Sequence, residues 1–514
     1  MKKLSLIILL LVVSVACRTA KTSKNNTSNN QNEVLVTFLH LNDVYEISPL
    51  DNGKVGGMAR VATVRKDLLK ENPNTVTVLS GDFLSPSVIG TLRHEGKGIK
   101  GKQMVDVMNT VGVDWVCFGN HEFDLDQKDL QERINESNFN WLNTNALEKG
   151  IDGYVPFGKV VGGVKFPFLK TTILTFKNAN GDEVKVGMFG ILLPSNKKDF
   201  VLYEDLFEAA KQAYAELEPK CDFVVGITHL NKVDDIKLAK MLPNVKLLMG
   251  GHDHDNMREQ IGSVIMAKAD ANAKTAYIHR ITFNKVTSKV ELKSELKKID
   301  NKIADEPTTA DVVKKWEDIQ DGAFKAIGLN KDEVIADLKE PLDGHETVVR
   351  NTQGNMGSMI NNALLASSPN KFDCAFFNGG SIRIDDNVSG KLTQLDVLRI
   401  LPFGGKLVEI KLRGRLLERV LQTGLENKGS GGYLQYEKIS YDDAKKEWKI
   451  DGKLLDVNQE YNIITSDFLF SGKERNLGFF SKQNPDVISI VETFPENDVR
   501  NDIRKAVIAY FKKK

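Results

Sequence analysis

Excess charge of either sign is missing from this chain. Lys and Arg number 70 against 69 Asp and Glu, a formal net charge of +1. Binding a nucleic acid polymer through bulk charge is therefore excluded. Cysteine is scarce: Cys17, Cys117, Cys221 and Cys374 are the only four in 514 residues. Cys117 and Cys221 sit in apolar, strand-like runs and read as small buried hydrophobes, so no disulfide framework is expected. Membrane-length apolar runs are lacking as well. The run from Leu4 to Ala16 is too short to cross a hydrocarbon core of about 30 Å as a helix. There is no internal repeat. What remains, 41% apolar and 27% charged residues, is ordinary soluble globular composition at a length of two or three domains.

The first residues, Met1-Lys2-Lys3 followed by that short apolar run, read as a signal peptide over 1–16. The run closes on Ser14-Val15-Ala16-Cys17, small residues before a cysteine, which resembles a bacterial lipobox with Cys17 as the lipidated residue. Ordinary cleavage with an unmodified cysteine is the alternative. Residues 17–32 are rich in Lys, Thr, Ser, Asn and Gln and suit a flexible tether. The expectation is an exported lipoprotein, anchored to a membrane and facing the periplasm or the cell surface.

Between 33 and about 300, short apolar runs alternate with helical stretches near 58–70, 101–111 and 204–218, an α/β pattern. Metal-ligand residue types stand at the ends of the apolar runs. Asp43 closes VTFLHLND, Asp82 closes VTVLSGD, and Asn120 with His121 closes VDWVCFGNH. His229 closes FVVGITH, and His252 with His254 closes VKLLMGGHDH. Ligands in open α/β sheets bind beyond the carboxyl ends of the strands, so five such ends converge on one site. Carboxylate, amide and imidazole together suit Zn, Mn, Fe or Co.

The ordered set Asp43, Gly81-Asp82, Gly119-Asn120-His121-Glu122, His229 and Gly251-His252-Asp253-His254 resembles the calcineurin-like metallophosphoesterases. Asn42-Asp43, Gly56-Gly57-Met58-Ala59-Arg60 and Gly119 to Asp124 are similar to the 5'-nucleotidases within that superfamily. The resemblance implies a two-sheet sandwich flanked by helices over 33–300. It also implies a two-metal site. Asp43, Asp82 and His254 hold one divalent ion, and Asp82, Asn120, His229 and His252 hold the other. It makes His121 the group that stabilises or protonates the leaving oxygen, oriented by Asp124. For Asp124 the alternative is capping of a helix that starts near 126. One residue departs from the family: the Asp-x-His expected after the first strand is Asp43-Val44-Tyr45 here, and a neutral phenol is a poor ligand.

A connector helix is expected within 301–329, with Pro307 near its start. Beyond 330 the segments Gly354-Asn355-Met356-Gly357, Asn378-Gly379-Gly380-Ser381-Ile382-Arg383 and Leu401-Pro402-Phe403-Gly404 resemble the C-terminal domain specific to 5'-nucleotidases, here 330–514. That resemblance implies substrate roles: Arg383 for phosphate, Phe403 and Phe468 stacking on a base, and Asn378 bonding base or ribose. Arg350 is a further phosphate candidate, with a solvated strand-end charge as its alternative. Core packing is the alternative for both phenylalanines. A second departure, Ser471 to Asn476 with Lys473 and Arg475, replaces the glycine-rich run that shapes the family's nucleoside pocket. The function expected is a phosphohydrolase, dependent on two divalent metals, that releases phosphate from nucleotides. The alternatives are a cyclic-nucleotide or nucleotide-sugar phosphodiesterase on the same site, or a non-catalytic nucleotide-binding lipoprotein.

Overall fold

The structure, a computed structural model, describes residues 32–513. The signal peptide, Cys17 and nearly all of the tether fall outside the described residues. Two six-stranded sheets form the N-terminal domain. In the first, β1 (Glu33–Leu41), β2 (Thr75–Ser80) and β3 (Trp115–Cys117) run parallel side by side, with Thr275–Asn284 antiparallel on the other edge of β1. In the second, Glu183–Leu192, β4 (Phe223–His229) and β5 (Leu247–Gly250) are parallel neighbours. All six residues of β2 and all seven of β4 are buried. That is why these strands read as unbroken apolar runs: parallel strands are covered on both faces. The sheets meet through Val36, Phe38, Val78, Val186, Val225 and Leu247. Helices cover the outer faces, α1 (Met58–Glu71), α2 (Lys102–Val111) and α3 (Gln127–Glu136) over the first sheet.

The Gly-Gly-Met-Ala-Arg segment has a physical role. Gly57 starts α1 at φ 99°, and a Cβ there would lie 2.8 Å from Pro49 Cγ. Arg60 reaches back to the carbonyls of Gly56 and Gly53 at 3.0 and 2.7 Å. The turn is thus tied to the helix it feeds.

The long helix α4 (Pro307–Ala326) follows. Glu306 caps it by accepting from the amides of Thr308 and Thr309, and Pro307 fills the first turn, where no amide donor is needed. Val313 and Trp316 of α4 lie in the N-terminal core, and Phe324 lies in the core of the next domain. That domain is a five-stranded mixed sheet with Cys374–Asn378, Glu460–Ser466 and Leu407–Arg413 at its centre. Helices Asn355–Ala366 and Gly414–Glu426 pack in its two hydrophobic cores. Cys117 and Cys374 are buried, Cys221 is half-buried, and all three are free thiols. Among the described residues no helix is long and apolar enough to cross a membrane.

Polar contacts join the two domains around one seam. Arg383 pairs with Asp124, Lys274 with Asp386, and Arg399 lies 3.9 Å from Glu46. Burial pushes the Glu46 carboxyl up to about 7, against the pull of Arg399. A carboxyl held above its unfolded value adds stability while protonated and loses it as pH rises from about 4.5 through 7. Glu46→Gln should therefore match the native protein in stability at pH 5 and exceed it at pH 8, by about 1–3 kcal/mol. Denaturant midpoints at the two pH values measure this.

Candidate active site

Each strand end delivers its ligand through a tight turn. Asp43 and Asp82 adopt left-handed backbone, φ 52° and 57°, and His252 does so at φ 78°. Left-handed geometry is uncommon outside glycine and gathers at functional sites. Asp43 Oδ2 accepts from Asn42 Nδ2 at 2.8 Å and from the His252 amide at 2.9 Å. Asp82 Oδ1 accepts from the His121 amide at 2.7 Å. Its Oδ2 lies 3.1 Å from His229 Nε2. His229 donates from Nδ1 to the Ser80 carbonyl at 2.7 Å, which fixes its tautomer and turns Nε2 inward. Asn120 Oδ1 lies 3.2 Å from that Nε2.

Ligand atoms of Asp82, His229 and His252 all lie within 4.8 Å of one another. With Asn120 beside them, these donors fit a borderline divalent ion. Asp43, Asp82 and His254 make a second, looser group that shares Asp82 with the first, its ligand atoms not all within 4.8 Å of one another. His254 Nε2 is 3.5 Å from Asp43 Oδ1. Tyr45, in the place of the family's histidine, points its hydroxyl into this second group. It donates to Asp82 Oδ2 at 3.2 Å and lies 3.1 Å from His254 Nε2. Burial, then the facing carboxylates of Asp82 and Asp43, hold the phenol neutral.

His121 sits beside the ligands without joining either group. Its Nδ1 donates to Asp124 Oδ2 at 2.9 Å. The helix cap is a different residue: Asp126 accepts from the Asp129 amide at the start of α3. Asp124 also accepts from Ser85 Oγ at 2.9 Å and from Asn196 Nδ2 at 2.9 Å, besides pairing with Arg383. Burial opposes a charge on His121, but Asp82 and Asp124 outweigh it and hold the imidazolium above its usual range.

Arg383 and Asn196 form the wall between this site and a cavity of about 1180 Å³ lined from both domains. Phe403 and Phe468 line the cavity and are 61% and 45% exposed; neither is a core residue. Arg350 lines it too, paired with Glu346. Asn378 is buried and already engaged. It donates to Glu474 Oε2 at 2.8 Å and accepts from Ser381 Oγ at 2.7 Å. The carboxylate presented to the cavity at that point belongs to Glu474, from the run that departs from the family. Lys473 lines the cavity, whereas Arg475 is not among its lining residues.

Sequence reading gave no role to two supporting groups. Glu122, fully buried, takes four backbone amides. Its Oε2 accepts from Gly119 at 2.7 Å and Asp82 at 2.9 Å, its Oε1 from Phe83 at 2.8 Å and Leu84 at 3.0 Å. Lys268, also fully buried, donates to the carbonyls of Leu230 and Gly251 and to Asp253 at 2.6 to 2.8 Å. It thereby fixes the loop that carries His252 and His254. Glycine and acidic residues next to ligands are the only sequence signal for either group.

Glu122→Gln should be strongly destabilising, because the amide end aims a donor at two other donors. A loss of about 2–4 kcal/mol is expected, together with weaker metal retention. Chemical denaturation and elemental analysis of the purified variant check both.

Residues 36–256 match the family model for calcineurin-like phosphoesterases, and residues 334–481 match that for the 5'-nucleotidase C-terminal domain. The 5'-nucleotidase of Bos taurus is 24% identical over 502 residues, covering 85% of this chain and 83% of its own. Protein UshA of Yersinia enterocolitica is 25% identical over 500 residues, covering 84% of each. A crystal structure of a 5'-nucleotidase precursor from Thermus thermophilus shares the fold, with TM-score 0.68 at 21% identity over 93% of this chain and 96% of that one. The two parts of this chain thus belong to the calcineurin-like phosphoesterase and 5'-nucleotidase C-terminal domain families, and the relatives that match across both parts are 5'-nucleotidases, which are hydrolases.

Proposed function

We propose that the protein removes phosphate from nucleotides, with two divalent metals bound by Asp43, Asp82 and His254 and by Asp82, Asn120, His229 and His252. The observation that carries this reading is the shared wall. Arg383 touches Asp124 and His121 on one side and lines the ring-bearing cavity on the other. A phosphate at the ligand cluster and a base at Phe403 and Phe468 are therefore within reach of one molecule. When bound, the metals supply Lewis acidity and an ionised water. His121, steadied through Nδ1 by Asp124 and with Nε2 3.9 Å from Glu346 Oε1, delivers a proton to the leaving oxygen. Arg383 Nε is buried and has no hydrogen-bond partner among the described residues, a donor suited to a phosphate oxygen.

A nucleotide-sugar or other diphosphate substrate is a second reading. The size of the cavity and the lysines lining it, Lys198, Lys406 and Lys473, favour it, because one phosphate does not occupy so many cations. A panel of nucleoside monophosphates assayed for free phosphate, and of cyclic nucleotides and nucleotide sugars assayed for the nucleoside monophosphate they yield, separates these readings. No turnover of any of them by metal-loaded protein rejects both.

Stacking on an aromatic ring contributes roughly 1–3 kcal/mol per base. Phe403→Ala and Phe468→Ala should each lower kcat/KM for the best nucleotide by about five- to hundredfold. Hydrolysis of a small aryl phosphate should change less than threefold or so, since that substrate does not reach from the metals to the rings. Equal losses on both substrates would remove the stacking role.

We further propose that the protein works outside the cytoplasm as a lipoprotein held by Cys17. Cys17→Ser should move it from the membrane to the soluble fraction, since no described helix can span a bilayer. Fractionation after a salt wash reads the outcome, and a variant that stays with the membrane refutes the anchor.

A further inference from the structure

Two guanidiniums face the site from the C-terminal domain, and a carboxylate already matches each. Arg383 pairs with Asp124, and Arg350 pairs with Glu346 one helical turn before it. The second pair belongs to the catalytic corner and not to the open surface: the side chains of Glu346 and Arg350 are 21% and 19% exposed. Glu346 Oε1 also lies 3.8 Å from Arg383 Nη1 and 3.9 Å from His121 Nε2. An oxygen bonded to His121 Nε2 at about 2.9 Å therefore stands no more than about 7 Å from Glu346 Oε1. The leaving oxygen assigned to His121 above is such an oxygen.

Backbone bonds hold Glu346 in this place. It opens the short helix Glu346–Val349. Its amide donates to Asp385 Oδ1 at 2.7 Å, and its carbonyl accepts from the Arg350 amide at 3.0 Å. The Arg350 carbonyl accepts in turn from the Gly429 amide at 2.8 Å.

The charges of this corner cancel in pairs. Asp124 offsets Arg383 and Glu346 offsets Arg350, so the arginines bring donors without a surplus of positive charge. One N–H on each remains: Arg383 Nε and Arg350 Nε are buried and have no hydrogen-bond partner among the described residues. Such donors suit the oxygens of a phosphoryl group with one negative charge. A second charge on that group meets the Glu346 carboxylate at close range, in a corner where bulk water screens little.

We propose that Glu346 is a specificity-determining residue of the hydrolysis. It weights the site toward a phosphoryl group with one negative charge, as in a phosphodiester or the inner phosphate of a diphosphate linkage, and against the dianion of a phosphomonoester. Repulsion of the wrong charge discriminates as effectively as attraction of the right one. The inference rests on the phosphohydrolase reading above, with His121 at the leaving oxygen, and deepens its second substrate class.

Two aryl substrates with one leaving group isolate the charge. They are para-nitrophenyl phosphate and bis(para-nitrophenyl) phosphate at pH 8, where the monoester is a dianion and the diester a monoanion. Glu346→Gln in the metal-loaded full chain should raise the ratio of kcat/KM, monoester over diester, by at least about fivefold. Glu346→Asp, which keeps the charge, should hold that ratio within about twofold of native. Calorimetric titration with inorganic phosphate at the same pH should show the glutamine variant binding the anion at least about fivefold more tightly. A ratio left unchanged by Glu346→Gln, with both substrates losing alike, would mark Glu346 as packing support for Arg350 and overturn the proposal. Phosphate bound no more tightly than by the native chain would overturn it too, as would an equal rise in the ratio for Glu346→Asp. If the native chain turns over neither substrate, the phosphohydrolase reading itself falls, and the phosphate titration still decides the charge effect of Glu346.

Discussion

One carboxylate sets the geometry on which the rest of the site depends. Glu122 gathers the amides of Gly119, Asp82, Phe83 and Leu84, and so joins the loop after β2 to the loop after β3. Asp82 and the Asn120-His121 pair hang from those two loops. Their spacing is therefore fixed by a group whose carboxylate is spent on backbone amides. Its carboxyl is pushed up to about 7 by burial and then by Asp82, while the amides pull the other way. Close approach is the second half of the device. A Cβ on Gly119 would lie 2.1 Å from Asp82 Oδ1, so only glycine lets the two loops meet.

The ligand-bearing strand ends are legible in the sequence because both physical demands leave local marks. Strands buried on two faces must be unbroken apolar runs, and the residue that ends such a run at the carboxyl edge is placed at the site. Asp43, Asp82, His229 and His252 all follow that logic. Asp124 and Asp126 show where local reading stops. Both are aspartates before α3, and only the fold reveals that Asp126 caps the helix while Asp124 faces His121. Glu122, Lys268 and Asn196 act through backbone groups or side chains far away in the chain, which leaves no periodicity to read. The exposure of Phe403 and Phe468 is equally a property of the closed cavity; their flanks identify the family, and only the fold sets them at its wall.

The seam between domains concentrates charge where the site is. Arg383–Asp124, Lys274–Asp386 and Glu46–Arg399 each join a residue of one domain to a residue of the other. Apolar contacts cross the junction too, since Val88 and Phe324 both enter the second core. Polar contacts at a seam trade readily with water and with an anionic substrate, whereas the apolar junction does not.

The left-handed turns at Asp43 and Asp82 carry a consequence for how the site can drift over generations. At φ near +50° the residues that sit without strain are few, chiefly Gly, Asn and Asp. A codon change at either position meets the backbone first and the metal second. Glycine removes the side chain outright, and β-branched or bulky residues strain the turn before any question of ligation arises. Asparagine is the one exchange that keeps both the turn and an oxygen. The accessible neighbourhood of these two positions in sequence space is thus narrowed by torsion as well as by chemistry, although Lys100 and Ala273 show that the chain holds other residues at a similar φ where no such chemistry is asked.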